Sequence, residues 1–296
     1  MLLTFLFLFL DHIFYILSKI KNKYLPPSNL IGCFYSNPSK KYISPEFIYP
    51  VYGYIYRYFF AYSQNYINLK FIHVFKYLLY EFPLPIIIAS IVKKGDIVID
   101  IGANFGYYTI FFSKLVGKEG KVYAFEPEPR AFLILKNKTK RLKNVILERK
   151  AVGDKNSRIK FYVDKSIGGS SVYKDAIYSL EACIEVDMIS LDEYFRNLKD
   201  EIALIKMDVQ GAEFLVLKGM KNLIKKVKAI IFEYWPDGLR ASGIEPLTLL
   251  NKLEMNNFKL FYIDKNLNIK SIDINNKANN KLPSNIIAIN TKLIRK

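Results

Sequence analysis

The segment Ile97-Val-Ile-Asp-Ile-Gly-Ala-Asn-Phe-Gly106 restricts the folds open to this chain more than any other. An apolar run broken only by Asp100 reads as a buried strand. It leads straight into Gly102 and Gly106, which permit a tight turn, and then into Tyr108, Phe111, Phe112 and Leu115 at helical spacing. Twenty residues beyond Gly106 stands Glu126, at the end of a second strand-like run, Tyr123-Ala-Phe-Glu-Pro127. A strand, a glycine turn, a helix and an acid-tipped strand form half of a nucleotide-binding βαβ unit. In such a unit the glycines let the backbone approach the ligand, and the acid accepts hydrogen bonds from ribose hydroxyls.

The spacing of the glycines narrows the ligand. A dinucleotide fingerprint, G-x-G-x-x-G, would put glycines at 104 and 107, where Asn104 and Tyr107 stand. The turn lacks the bare backbone that a pyrophosphate requires. Asp-x-Gly-x-x-x-Gly instead resembles the first motif of the class I S-adenosylmethionine methyltransferases. Their cofactor carries a sulfonium and no phosphate, so an acid at Asp100 suits it.

Strand-like and helix-like segments alternate onward. Pro127-Glu-Pro129 opens a helix with Phe132, Leu135 and Leu142 expected on one face, and Val145-Ile-Leu147 is a third strand. Arg158–Val163 and Cys183–Asp187 alternate apolar and polar residues, with the polar loop Gly168-Gly-Ser-Ser171 between them. Ala203–Met207 ends at Asp208 and Ala229–Phe232 at Glu233; Phe258–Ile263 and Asn285–Ile289 close the sheet. The expected fold is α/β: a mostly parallel Rossmann-like sheet with helices on both faces.

The strings GDIVIDIGANFGYYTIFFSKLVG, KVYAFEPEP, AVGDKN, GGSS, SLDEYF, IALIKMDVQGAEFLVLKGM and IIFEY occur in this order over about residues 90–235. Taken together they resemble the FkbM-type methyltransferases. The resemblance implies the class I methyltransferase fold, S-adenosyl-L-methionine as donor, and methylation of a hydroxyl, often that of a sugar. One departure stands out: the family's fourth segment reads Asp-Val-Glu-Gly-Ala-Glu, and this chain has Gln210 at the first glutamate. That substitution removes one carboxylate and argues against metal binding there; no metal is expected.

Ligands of open α/β sheets sit beyond the carboxyl ends of the strands, where strand order reverses. Asp100, Glu126, Asp208 and Glu233 are therefore expected around one crevice. Asp100, Gly102, Asn104 and Gly106 are assigned to the methionine and sulfonium side of the cofactor, and Glu126 with Pro127 to the ribose. No histidine lies in this region, so a hydroxyl must lose its proton to another group. Asp208 is the expected base, with Glu233 or Glu213 orienting the acceptor; Asp208 holding a loop or the cofactor amine is the alternative. Gly169, Ser170 and Ser171 are expected to face the acceptor, against the alternative of a plain flexible connection.

Before residue 90 the chain changes character, and more than half of its aromatic residues lie there. Three segments are expected: 1–24, an apolar stretch for peripheral membrane contact or packing on the enzyme; 25–90, an aromatic-rich accessory region; and 91–296, the methyltransferase domain. Asp11 interrupts the apolar stretch, which lacks the charge order and cleavage site of a signal peptide. Cys33 and Cys183 are isolated, in keeping with a reducing interior and a cytoplasmic location. The formal charge of +17 suggests anionic partners and raises nucleic-acid methylation as an alternative. Against it, the chain has Met207-Asp-Val-Gln-Gly-Ala where amino-methylating enzymes of nucleic acids carry an Asn/Asp-Pro-Pro-aromatic segment. An inactive membrane-associated scaffold of the same fold is the other alternative. The expected acceptor is a small molecule or glycan with a free hydroxyl.

Overall fold

The computed structural model describes residues 83–166, 168–263, 269–274 and 285–293. The chain divides into two units, Met1–Ile91 with Ile263–Lys270, and Val92–Tyr262 with Ser271–Lys296. Expectations for residues 1–82, including the membrane-surface segment and the tyrosine-rich run, lie outside the described residues. No helix among the described residues is long and apolar enough to cross a membrane.

In the smaller unit, Pro83–Ile91 forms helix α1. The larger unit opens with β1 (Ile97–Ile101), α2 (Tyr107–Val116), β2 (Lys121–Phe125), α3 (Pro129–Thr139) and β3 (Val145–Glu148). There follow β4 (Ala151–Gly153), β5 (Ser157–Asp164), β6 (Leu180–Ser190), α4 (Leu191–Tyr194), β7 (Ile202–Met207), α5 (Glu213–Lys218) and β8 (Ala229–Glu233). The last elements are α6 (Pro236–Ala241), α7 (Pro246–Glu254), β9 (Phe258–Ile263), β10 (Ile269–Ser271), which straddles the boundary between the units, and β11 (Asn285–Asn290).

Within the larger unit the main sheet runs β9-β11-β8-β7-β1-β2-β3. β1 pairs in parallel with β2 and β7, β2 with β3, and β7 with β8; β11 runs antiparallel to both β8 and β9. Buried on both faces, the central strands are nearly all apolar, and every residue of β7 is buried. The chain builds outward from β1 through β2 to β3, then returns to the other side of β1 with β7. This reversal opens a crevice between the carboxyl ends of β1 and β7.

Three local readings differ. The alternating strands β5 and β6 do not join the main sheet but pair antiparallel with each other, in a separate sheet ordered β4-β6-β5. No helix long enough for a parallel crossover separates them, so the connection returns the chain alongside itself. Leu142 does not share a helix face with Phe132 and Leu135, because α3 ends at Thr139. On α2, Leu115 is only partly buried, whereas the polar Thr109 and Ser113 point inward. Hydrogen bonds explain both: Thr109 donates to Asp100 and Ser113 to Asn144, each at 2.6 Å.

Candidate active site

The glycine turn and the acid after β2 are tied by the main chain. Asn104 N–H donates to Glu126 Oε2 at 2.7 Å, and Glu128 N–H to Oε1 at 2.8 Å. Gly102 and Ala103 N–H both reach the Phe125 carbonyl at 3.0 Å. Glu128 in turn caps α3 by accepting from Ala131 N–H. Pro127, between the two glutamates, is partly buried. Burial pushes the Glu126 carboxyl up to about 7, although the two backbone hydrogen bonds pull it down. Each of its oxygens keeps acceptor capacity beyond these bonds.

Gly102 and Gly106 both have positive φ, 74° and 82°. A Cβ on Gly102 would sit 1.9 Å from the Asp208 carbonyl oxygen, and one on Gly106 would sit 2.6 Å from Leu135 Cδ1. Their first task is thus to let the turn close on β7 and α3, a demand of the protein's own packing. Asn104 also has positive φ, 48°. Its Oδ1, like Oδ1 of the wholly buried Asp100, has no hydrogen-bond partner. Burial raises the Asp100 carboxyl, while the Lys206 charge and the Thr109 hydroxyl lower it.

Across the crevice the site is built from side chains. Asp208, just past β7, and Glu233, the last residue of β8, both accept from Gln210 Nε2, at 2.8 Å each. Gln210 has φ 50°. Its amide group bonds two carboxylates that also interact with each other. Burial, then the Asp208 charge, pushes Glu233 up to about 7, with the Gln210 hydrogen bond opposing. Lys206 Nζ lies 3.4 Å from Asp208 Oδ2 and 4.8 Å from the centroid of the Tyr108 ring. In the sheet register Lys206 stands opposite Asp100, so one buried cation serves both acids. No role for Lys206 emerges from the sequence reading, yet a lone lysine within Ile-Ala-Leu-Ile-Lys-Met was the available signal.

Glu213 belongs to the wall of the crevice. It is the first residue of α5 and buried; Oε1 accepts from Val209 N–H at 3.3 Å and Oε2 has no hydrogen-bond partner. Burial pushes it up to about 8. The Gly168–Ser171 loop is also committed inward. Ser170 Oγ accepts from Asp164 N–H at 3.0 Å. Ser171, 1% exposed, donates to the Gln210 carbonyl at 2.9 Å and accepts from Tyr173 N–H. A Cβ on Gly169 would crowd Asp164 and Ser166. The loop therefore braces Gln210 from behind, and its serine hydroxyls are already engaged.

The buried, unpartnered oxygens of Asp100 and Asn104 beside an open acceptor at Glu126 form a set of hydrogen-bond acceptors. Such a set fits a ligand that brings an ammonium, a sulfonium and two ribose hydroxyls, and fits an anion poorly. A mostly parallel sheet reversing at β1, with this acceptor set at the switch point, defines a class I S-adenosylmethionine-dependent methyltransferase. Residues 100–260 match the methyltransferase FkbM domain, and the chain belongs to that family. It is 30% identical over 164 residues to the 2-O-methyltransferase NoeI of Sinorhizobium fredii, covering 50% of this chain and 67% of NoeI. It is 28% identical over 143 residues to the hexuronic acid methyltransferase AglP of Haloferax volcanii, covering 48% of this chain and 56% of AglP. A third relative, named "Probable cobalt-precorrin-6B C(15)-methyltransferase (decarboxylating)" of Saccharolobus solfataricus, is 28% identical over 146 residues, covering 45% of this chain and 72% of that protein. Methyl transfer is common to the three names; the acceptor is not.

Proposed function

We propose that this enzyme methylates a hydroxyl of a sugar or glycan, with the Asp208–Glu233 pair receiving the hydroxyl proton. The observation that carries this reading is the pair of 2.8 Å hydrogen bonds from Gln210 to Asp208 and Glu233 at the carboxyl ends of β7 and β8. Support for a sugar acceptor comes from the hexuronic acid methyltransferase AglP, and support for transfer to oxygen from the 2-O-methyltransferase NoeI.

When bound, S-adenosylmethionine supplies an electrophilic methyl on a sulfonium leaving group. Glu126 accepts from the ribose hydroxyls, and Asp100 and Asn104 hold the amino-acid end through their unpartnered oxygens. Asp208 is the more open of the acceptor-side acids, its side chain 40% exposed. It takes the hydroxyl proton as the oxygen attacks, and Glu233 shares the added charge through Gln210. A positioned base is worth about 10²–10⁴ in rate. Holding both reactants in line supplies the remainder.

The test is transfer of isotope-labelled methyl from S-adenosylmethionine to a panel of methyl glycosides, by the wild type and by Asp208→Asn. Labelled O-methyl sugar from the wild type, and its loss in the variant without loss of S-adenosylhomocysteine binding, is the expected outcome. Methylation at undiminished rate in Asp208→Asn would remove Asp208 from the mechanism; absence of labelled sugar across the panel would remove the sugar.

A further inference from the structure

Tyr178 and Trp235 stack with ring centroids 5.7 Å apart and planes inclined by 29°. Trp235 is partly buried, but Tyr178 is 86% exposed. A single exposed aromatic is ordinary; one whose backbone is clamped on both sides is less so. Asp164, itself 2% exposed, accepts Ser179 N–H at 2.7 Å, and its carboxyl also bonds the Tyr178 backbone. Lys165 N–H donates to the Ser179 carbonyl at 2.8 Å, and Ile177 N–H to the Lys174 carbonyl at 3.1 Å. Burial alone would raise Asp164, but the hydrogen bonds from Ser166, Ser179 and Tyr178 outweigh it and lower its pKa. The chain thus commits a buried, ionised carboxylate to holding a ring out in water.

The pair also stands at the right end of the sheet. Trp235 follows Glu233 by two residues, so their Cα atoms lie within about 7 Å. A Cβ on Gly238 would meet the Trp235 ring at 2.1 Å, and one on Gly211 would meet the Gly238 carbonyl oxygen at 2.6 Å. The first turn of α6 therefore fits between the indole and the Gln210–Gly211 turn. Gly238 thus packs against the Trp235 indole, the Tyr178 ring stacks beside it, and Tyr178 remains exposed.

We propose that Tyr178 and Trp235 form an acceptor shelf, on which the apolar C–H face of a pyranose ring stacks while a hydroxyl of the glycan reaches Asp208. This rests on the reading that the acceptor is a sugar. The C–H hydrogens of a sugar face carry partial positive charge and meet the negative face of an aromatic ring, and stacking expels water from both. Asp237 and Arg240, on the adjoining helix, supply exposed polar groups at the rim for ring hydroxyls. The shelf puts recognition on aromatic faces, whereas the serines of the same excursion brace the loop.

Trp235 is the only tryptophan in the chain, so its emission reports on the shelf directly. Full-length protein saturated with S-adenosylhomocysteine is titrated with methyl glucoside, galactoside, mannoside and glucuronoside. Tyr178→Ala and Tyr178→Phe are treated alike, and labelled methyl transfer to the same glycosides is measured in parallel. The expected result is a saturable emission change with at least one glycoside. Its affinity weakens by about tenfold in Tyr178→Ala and is kept in Tyr178→Phe. S-adenosylhomocysteine binding stays the same in all three proteins. Equal glycoside affinity and KM in Tyr178→Ala and wild type, with methylation intact, would overturn the shelf and leave the sugar reading standing. Neither methylation nor binding of any glycoside would overturn both.

Discussion

The two banks of the crevice are built by different means. On the β1–β2 bank, Glu126 receives backbone N–H groups from Asn104 and Glu128. On the β7–β8 bank, Asp208 and Glu233 are held by the side chain of Gln210, with Lys206 close to Asp208. A site made from main chain endures as long as the turn does, whatever side chains surround it. A site made from side chains can be retuned by one substitution without disturbing the sheet. The first suits a ligand shared by a whole family, the second an acceptor that differs between members.

The largest effect should come from the main-chain bank. Glu126→Ala should weaken S-adenosylhomocysteine binding by at least about a hundredfold, because two hydroxyls lose a charged acceptor. Wild-type affinity should also fall as pH drops through about 7, where Glu126 takes up a proton and loses acceptor capacity. Calorimetric titration at several pH values measures both; a flat profile, with affinity retained in the variant, would dissolve the contrast between the banks.

On the side-chain bank, Glu233→Gln should lower kcat by about 10²-fold and leave S-adenosylhomocysteine affinity unchanged. In the wild type kcat should rise with pH through about 7 as Glu233 loses its proton. If the variant loses cofactor affinity along with turnover, the two banks are not separable. A smaller change is expected of Gln210→Glu, which restores the family's usual residue but puts a third carboxylate between two others. Its kcat profile should move to higher pH by about one unit, since like charges hold protons more tightly. An unmoved profile would show that the amide does not set the pair's charge.

The smallest effect belongs to the wall. Glu213 is pushed from an ordinary value of 4.5 to about 8 on folding. The folded state then binds the proton more tightly than the unfolded chain, and stability falls as pH rises from about 4.5 to about 8. Glu213→Gln should flatten that decline and gain about 2–4 kcal/mol near pH 8, less whatever its buried amide loses for want of a partner. Denaturant unfolding at pH 5 and pH 8 measures the difference; equal slopes in both proteins would place the Glu213 proton elsewhere.

The β1–α2–β2 unit was readable because its signals are local: an apolar run, glycines at fixed offsets, a helical period and an acid a set distance onward. β7 and β8 were legible for the same reason, as apolar runs ending in Asp208 and Glu233. Leu142 was misplaced because apolar spacing continues past the point where α3 stops. Thr109 and Ser113 were missed because a polar residue inside a helix looks solvent-facing until its partner is known. The serines of Gly168–Ser171 looked free for the same reason, while the Asp164 and Tyr173 N–H groups donate to them and the Gln210 carbonyl accepts from Ser171.

By itself the sequence determined the fold class and the family, since periodicity, glycine spacing and motif order are written along the chain. Only the tertiary structure decided that β5 and β6 form their own sheet, that Lys206 faces Asp100 and Asp208, and that Gln210 joins Asp208 to Glu233. It alone stacked Tyr178 on Trp235, residues separated by the whole of β6, α4, β7, α5 and β8. The physical reason is range: a turn or a helix face is settled among residues a few places apart. A bridging amide, a buried ion pair or a ring stack depends on which distant side chains the sheet register brings within a few ångströms.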